Sequence, residues 1–188
     1  MAGLSIRRYE LGDGSAVWDL HERALRDVGA YDEEYAHLDA DLRNVESEYL
    51  DAGGEFLVGE VERSEASDRE RGGTTREHGE RGGEKSDDGI VAMDALQPSS
   101  SVDHHESDPS AAVVRWMRVN PDHQRRGYGS QVLQVLEART VDLGFEQLVL
   151  DTTPRQAAAV APYESFGYVE ERRESTPAGE MTVYEKSL

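Results

Sequence analysis

The chain contains no cysteine, which excludes disulfides, thiolate metal sites and a cysteine nucleophile. Lysine is almost missing as well: Lys85 and Lys186 are the only two, so the remaining cationic side chains are arginines. No apolar run approaches the roughly 18 residues of a membrane-spanning helix. The first residues, Met1 to Arg7, lack the basic-then-apolar order of a secretory leader. No Gly-x-Ser-x-Gly elbow occurs, which removes the usual sequence mark of a serine hydrolase. These absences lead to the expectation of a cytoplasmic chain with no membrane partner.

What is abundant is negative charge. Among 188 residues, 39 are acidic and 20 basic, for a net charge of −19. A phosphate backbone is bound by displacing its counterions with a basic face, so this balance argues against nucleic acid as a partner. High acidity with scarce lysine is the pattern expected of a salt-adapted organism, where a solvated carboxylate surface maintains solubility.

Two stretches stand apart. Residues 62–88 carry nine acidic and six basic side chains, two Arg-Gly-Gly units and almost nothing apolar, so they cannot offset their ordering entropy. Residues 97–110 are Ser- and Asp-rich. Both read as flexible insertions in a single domain running from 4 to 188. Asp103, His104, His105 and Glu106 fall in the second one and read as a solvated loop rather than a metal site, so no metal is expected.

The rest alternates between two periodicities. Strands are expected at Leu4–Glu10, Phe56–Val61, Ile90–Leu96, Ala111–Val119, Gln147–Asp151, Tyr168–Glu174 and Met181–Lys186. Helices are expected through Val17, Leu20, His21, Ala24, Leu25 and Val28, then from Asp32 through Leu38, Leu42, Val45 and Tyr49. Two more are expected at Gly129–Leu143 and Gln156–Phe166. This order implies an α+β fold of mixed layers around one sheet.

Between the strand ending at Val119 and the helix beginning near Gly129 lies Asn120-Pro-Asp-His-Gln-Arg-Arg-Gly-Tyr-Gly129. Strand, Gly-containing turn and helix N-terminus together make a place for phosphate. First-turn N–H groups are unpaired there and the helix dipole favours an anion. Glycines at 127 and 129 let a ligand approach the backbone, and Arg125 and Arg126 can neutralise its charge. An ordinary tight turn with solvated arginines is the other reading of the same residues. His123 reads as a solvent-facing member of this loop.

Gln124-Arg-Arg-Gly-Tyr-Gly129 resembles the Gln/Arg-x-x-Gly-x-Gly/Ala signature of the GNAT acyl-CoA N-acyltransferases. Met117-Arg-Val-Asn-Pro121 looks like that family's strand end and Val-x-Pro turn. Tyr163-Glu-Ser-Phe-Gly-Tyr168 looks like its Leu-Tyr-x-x-x-Gly-Phe helix ending. The resemblance implies a central, mixed, mostly antiparallel sheet of about seven strands flanked by about four helices, splayed between the strands near 111–119 and 147–151. It implies acetyl-CoA as acyl donor, held by Met117, Arg118, Val119, Gln124, Arg125, Arg126, Gly127, Tyr128, Gly129, Ser130 and Gln156. Tyr163 would be the general acid that protonates the departing thiolate. Tyr31, Asp32 and Tyr35 are the candidate acceptor-side residues, together with Glu33 and His37. The implied reaction is direct acetyl transfer to a primary amine, either a small molecule or a protein α-amino group, in a protein that is often a homodimer.

The sequence departs from the family pattern in three places. Val113 stands where many relatives carry a glutamate base, Gln156 stands in place of an asparagine, and Pro162 directly precedes Tyr163. An acyl-CoA-binding module with little transfer is therefore the alternative reading.

Overall fold

The computed structural model describes residues 3–31, 36–61, 89–102, 105–153, 163–176 and 179–188. Seven strands form one sheet: β1 (Leu4–Arg8), β2 (Glu55–Val61), β3 (Ile90–Pro98), β4 (Ala111–Val119), β5 (Gln147–Thr152), β6 (Val169–Thr176) and β7 (Gly179–Ser187). Their spatial order is β1-β2-β3-β4-β5-β7-β6. Every neighbouring pair is antiparallel except β4 and β5, which are joined in parallel by the crossover helix α2 (Tyr128–Asp142). The expected mixed, mostly antiparallel sheet is present.

α1 (Gly14–Asp27) and α2 lie on opposite faces of the sheet. Helix α1 buries Val17, Leu20, His21 and Ala24, the stripe its 3.6-residue period predicts. They pack with Phe56, Val58, Met93 and Ala95 of the central strands. Helix α2 buries Val132, Leu133 and Leu136 against Ala92, Leu96, Leu148 and Leu150 on the other face. Each buried Val, Leu, Met or Phe among these stabilises by about 1.5–3 kcal/mol. Glu55 is also buried, and its carboxylate is held by Arg139 of α2 at 3.0 Å and by Arg8 of β1 at 2.8 Å.

The second expected helix takes a different form. Its described part is a 3-10 helix, Ala36–Arg43, with non-helical dihedrals at Asp39, followed by one π-type turn, Glu46–Leu50. Leu42, Val45 and Tyr49 still face the core together. Local winding is adjusted while Asp39 and Asp41 hydrogen-bond to side chains of α1, the π-type turn and β4. The expected helix at 156–166 is described only for its last turn, Tyr163–Ser165; Gln156 and Pro162 lie outside the described residues.

Residues 62–88 also lie outside the described residues. The 97–110 stretch is partly structured: β3 runs on through Gln97 and Pro98, and a 3-10 turn covers Ser99–Ser101. Ser99 Oγ donates to the Asp108 carbonyl at 2.7 Å and accepts from its N–H at 2.8 Å, closing the loop on itself. No helix among the described residues is long and apolar enough to cross a membrane.

Candidate active site

The parallel pairing of β4 and β5 has three rungs, Ala111↔Gln147, Ala112↔Leu148 and Val113↔Val149. Beyond them β4 remains paired to β3 while Leu150–Thr152 of β5 pair with β7. The two strands therefore part in the middle of the sheet, leaving the β5-facing backbone edge of β4 open.

A bulge marks the same place. Met93 pairs with Arg118 and Ala95 with Arg115, so Asp94 alone faces both Trp116 and Met117. Trp116 takes a left-handed φ of 59°, which a bulky residue adopts only when its surroundings enforce it. Bulges of this kind re-aim side chains and cluster beside functional sites.

The loop after β4 begins at Asn120, whose N–H bonds the Val91 carbonyl at 2.8 Å and whose Oδ1 accepts from the Asp122 N–H at 3.1 Å. Gly127 enters α2 with φ of 81°, a conformation that favours glycine, and no side chain caps the helix there. A Cβ on Gly129 would stand 3.4 Å from Val119 Cγ2 and 3.8 Å from Met117 Sδ, so the first turn of α2 rests directly on the end of β4. Gln124, Arg125 and Arg126 are exposed, and Ser130 is half-buried in the first turn. Tyr128 is buried and stacks on His123 at 6.2 Å; His123 is half-buried, with Nδ1 shielded from solvent.

Tyr163 is 5% exposed. Its hydroxyl donates to Met117 Sδ at 3.5 Å, and its ring meets Tyr168 edge-on at 5.7 Å. Burial pushes this phenol well above the usual tyrosine range, with Asp94 and Asp151 adding to the shift and Arg118 opposing it. Asp94 is 0% exposed; Oδ1 accepts from the Ala95 N–H at 3.0 Å, whereas Oδ2 has no hydrogen-bond partner among the described residues. Burial raises Asp94 far above the usual carboxylate range, against the pull of the Ala95 N–H and Arg118. Arg118 donates to the Met117 carbonyl at 2.9 Å, and burial lowers its guanidinium against the fields of Tyr163, Asp39 and Asp94. The opening between β4 and β5 is thus ringed by Met117, Arg118, Asp94 and Tyr163.

The α1 face of the opening carries a second polar set. Trp116 Nε1 donates to Asp41 Oδ2 at 3.0 Å and also contacts the Tyr49 hydroxyl, which itself donates to Asp41. His21 Nε2 lies 3.0 Å from Asp39 Oδ2 and its ring meets Trp116 edge-on at 5.1 Å. Among the described residues no group of side chains has the makings of a metal site.

The model of the Acetyltransferase (GNAT) family matches residues 17–168, most of the chain. The chain belongs to this family. Solved GNAT structures share its fold along nearly the whole length. An acetyltransferase from Streptococcus agalactiae is 18% identical, with 100% of each chain covered and a TM-score of 0.71. The Thermoplasma acidophilum PaiA N-acetyltransferase, solved with coenzyme A, is 14% identical over 99% of each chain, with a TM-score of 0.63. The Escherichia coli ribosomal-protein-S18-alanine N-acetyltransferase is 18% identical over 98% of this chain and 94% of its own, with a TM-score of 0.62. No curated protein sequence matches the chain.

Within this GNAT acetyltransferase, the sequence-derived candidates converge in part. Met117, Val119, Gly129 and Tyr163 meet at the opening. Tyr31 lies beyond the C-terminal end of α1, its ring 4.1 Å from the Arg26 guanidinium; Asp32, Glu33 and Tyr35 lie outside the described residues, as does the side chain of His37. Sequence reasoning passed over Asp94 and Trp116. The signal for Asp94 was available, since it is the one charged residue in the apolar run Ile90–Leu96. His105, read as solvated, is instead buried, with Nε2 at 3.2 Å from Asp151 Oδ2.

Proposed function

We propose that this chain transfers the acetyl group of acetyl-CoA directly to a primary amine, on a small molecule or a protein α-amino group. The observation that carries the reading is the coincidence, at one opening in the sheet, of the parted β4–β5 edge, the Trp116 bulge and the Tyr163 hydroxyl.

The first-turn N–H groups of α2, with Arg125 and Arg126, hold the pyrophosphate of the acyl donor, and Gly127 and Gly129 keep side chains out of its way. Tyr128 and Ser130 complete this turn, Gln124 lines the approach, and Gln156 contacts the pantetheine arm. The open edge of β4 beside Met117, Arg118 and Val119 supplies backbone donors for that arm and for the carbonyl oxygen as it gains charge. Tyr163, kept protonated by burial, gives its proton to the departing sulfur. Holding donor and amine together removes the need for a covalent enzyme intermediate. Tyr31, Asp32 and Tyr35 wall the acceptor side. The folded unit is one domain, 4–188, with insertions at 62–88 and 97–110.

Release of free CoA from acetyl-CoA across an amine panel tests this reading. Amine-dependent release supports transfer; tight acetyl-CoA binding with no release under any amine supports the binding-module alternative.

A further inference from the structure

Regular alternation along β4 would send Trp116 to the α2 face, with Ala112 and Val114. The bulge shifts that phase by one residue. Met117 and Val119 therefore turn to α2, against Gly129, while Trp116 turns to α1, its ring edge-on to His21 at 5.1 Å. Two guanidinium groups accompany it: Arg115 Cζ lies 5.0 Å and Arg118 Cζ 5.8 Å from the centroid of the Trp116 ring. We propose that Arg115 and Arg118 bind the α-carboxylate of the acceptor, so that the amine acetylated is that of a free α-amino acid; this rests on the transfer reading above.

The surroundings of these two arginines set them apart in an acidic chain. Arg7, Arg8, Arg139 and Arg173 each meet a carboxylate within 3.0 Å. Arg118 has no such ion pair among the described residues. Its Nε is buried without a hydrogen-bond partner, and its Nη1 donates to the Met117 carbonyl at 2.9 Å. The fields of Asp39 and Asp94 reach it, but burial keeps Asp94 protonated and Asp39 is engaged by His21 at 3.0 Å. Burial works against the guanidinium, so an arriving anion relieves a cost already present in the free protein. Arg115 reaches Asp41 Oδ2 at 3.7 Å, and that oxygen already accepts from Trp116 and Tyr49.

A guanidinium fork grips a carboxylate through two parallel N–H bonds. The indole, pinned by Asp41 at 3.0 Å, gives both forks a fixed neighbour to pack on. Arg118 bonds the carbonyl of Met117, the residue beside which the acetyl group is presented, so a carboxylate in its grip lies next to the reacting amine. An α-amino acid has that spacing, with one carbon between the two groups. A peptide N-terminus lacks the charge, because its α-carboxyl is an amide. Asp39 and Asp41 keep the local charge low, which favours a monoanionic carboxylate over a dianionic phosphate. The C–N bond forms as the C–S bond breaks with its electron pair left on sulfur. Of the two protons the ammonium loses, one leaves on the thiol of CoA and one enters solvent. The product is an N-acetyl α-amino acid.

The test offers the full chain acetyl-CoA with leucine, phenylalanine, glutamate and ornithine, each beside its α-carboxamide, and reads kcat/KM from CoA release. At least one free acid should be preferred over its amide roughly 30-fold or more, the scale of a hydrogen-bonded charge. Arg118→Gln and Arg115→Gln should each lower that ratio at least about fivefold, through a higher KM for the acid. Arg115→Lys, which keeps the charge and loses the fork, should hold an intermediate ratio. A wild type that acetylates the amides as well as the acids, or the amides alone, overturns the proposal and leaves the transfer reading standing. A ratio that either folded Gln variant leaves unchanged also overturns it. So does a wild type that acetylates none of these compounds, and the amine panel above then decides whether the transfer reading falls with it.

Discussion

The hydroxyl of Tyr163 and the sulfur of Met117 meet at 3.5 Å, one from the turn before β6 and the other from the bulged strand β4. The contact brings a phenol to the place where β4 and β5 part. Tyr163→Phe should therefore lower kcat roughly 100-fold, the scale of a lost general acid. Acetyl-CoA affinity should change less than about twofold, because the ring and its packing on Tyr168 remain. Steady-state kinetics paired with calorimetry separate the two quantities.

Gly129 faces Val119 and Met117, where a Cβ would already be in van der Waals contact and a longer side chain must turn toward the ligand side or displace them. Gly129→Glu adds bulk and negative charge to the first turn of α2, where the donor's pyrophosphate is proposed to rest. Binding of acetyl-CoA should weaken at least 100-fold, about 2.7 kcal/mol, with an unchanged far-ultraviolet spectrum. Gly127→Glu should do the same and also lose about 1 kcal/mol of stability from its left-handed φ.

Asp94 gives stability a pH dependence of definite sign. Its folded-state carboxyl holds a proton well above the usual carboxylate range, so the native state binds a proton that the unfolded chain has released. Stability is then lost as pH rises from about 4, the unfolded value, up to the raised folded value. Asp94→Asn should flatten this dependence and leave the protein more stable than wild type above that window. Urea unfolding at pH 5 and pH 8 measures both slopes.

Glu55 is buried between Arg139 and Arg8. Arg139→Ala leaves that carboxylate with Arg8 alone and should cost about 3 kcal/mol, the low end for breaking a buried pair. Glu55→Gln with Arg139→Ala should recover part of the loss, since no uncompensated charge remains. Thermal denaturation of the three proteins checks the order.

Strands β2 and β3 pair up to Glu60↔Ile90, so a short turn can join Val61 to Gly89. Replacing 62–88 by such a turn should leave thermal stability and acetyl transfer within about twofold, as expected for a surface insertion.

Elements with a clear period were readable from sequence. The α1 stripe from Val17 to Ala24, the α2 stripe from Val132 to Leu136 and all seven strand cores emerge from spacing and composition. The loop from Gln124 to Gly129 was readable because glycines and arginines there have a local cause. What could not be read depends on contacts distant in sequence. Asp94 stands out locally as the one charge in its strand, but its place beside the site comes from a bulge on another strand, and that of His105 from a Ser-rich loop that folds back onto β5. The 3-10 and π-type winding of 36–50 follows from hydrogen bonds to His21 and Trp116, which no local pattern contains.

The central claim is that the opening between β4 and β5, with the loop into α2, receives acetyl-CoA. Calorimetric titration of acetyl-CoA into wild type and Gly129→Glu, at high and low salt, tests it most directly. The account predicts one-to-one micromolar binding by wild type and none by the variant. A folded wild type that binds no acetyl-CoA at either salt, or a variant that binds as tightly as wild type, would contradict it.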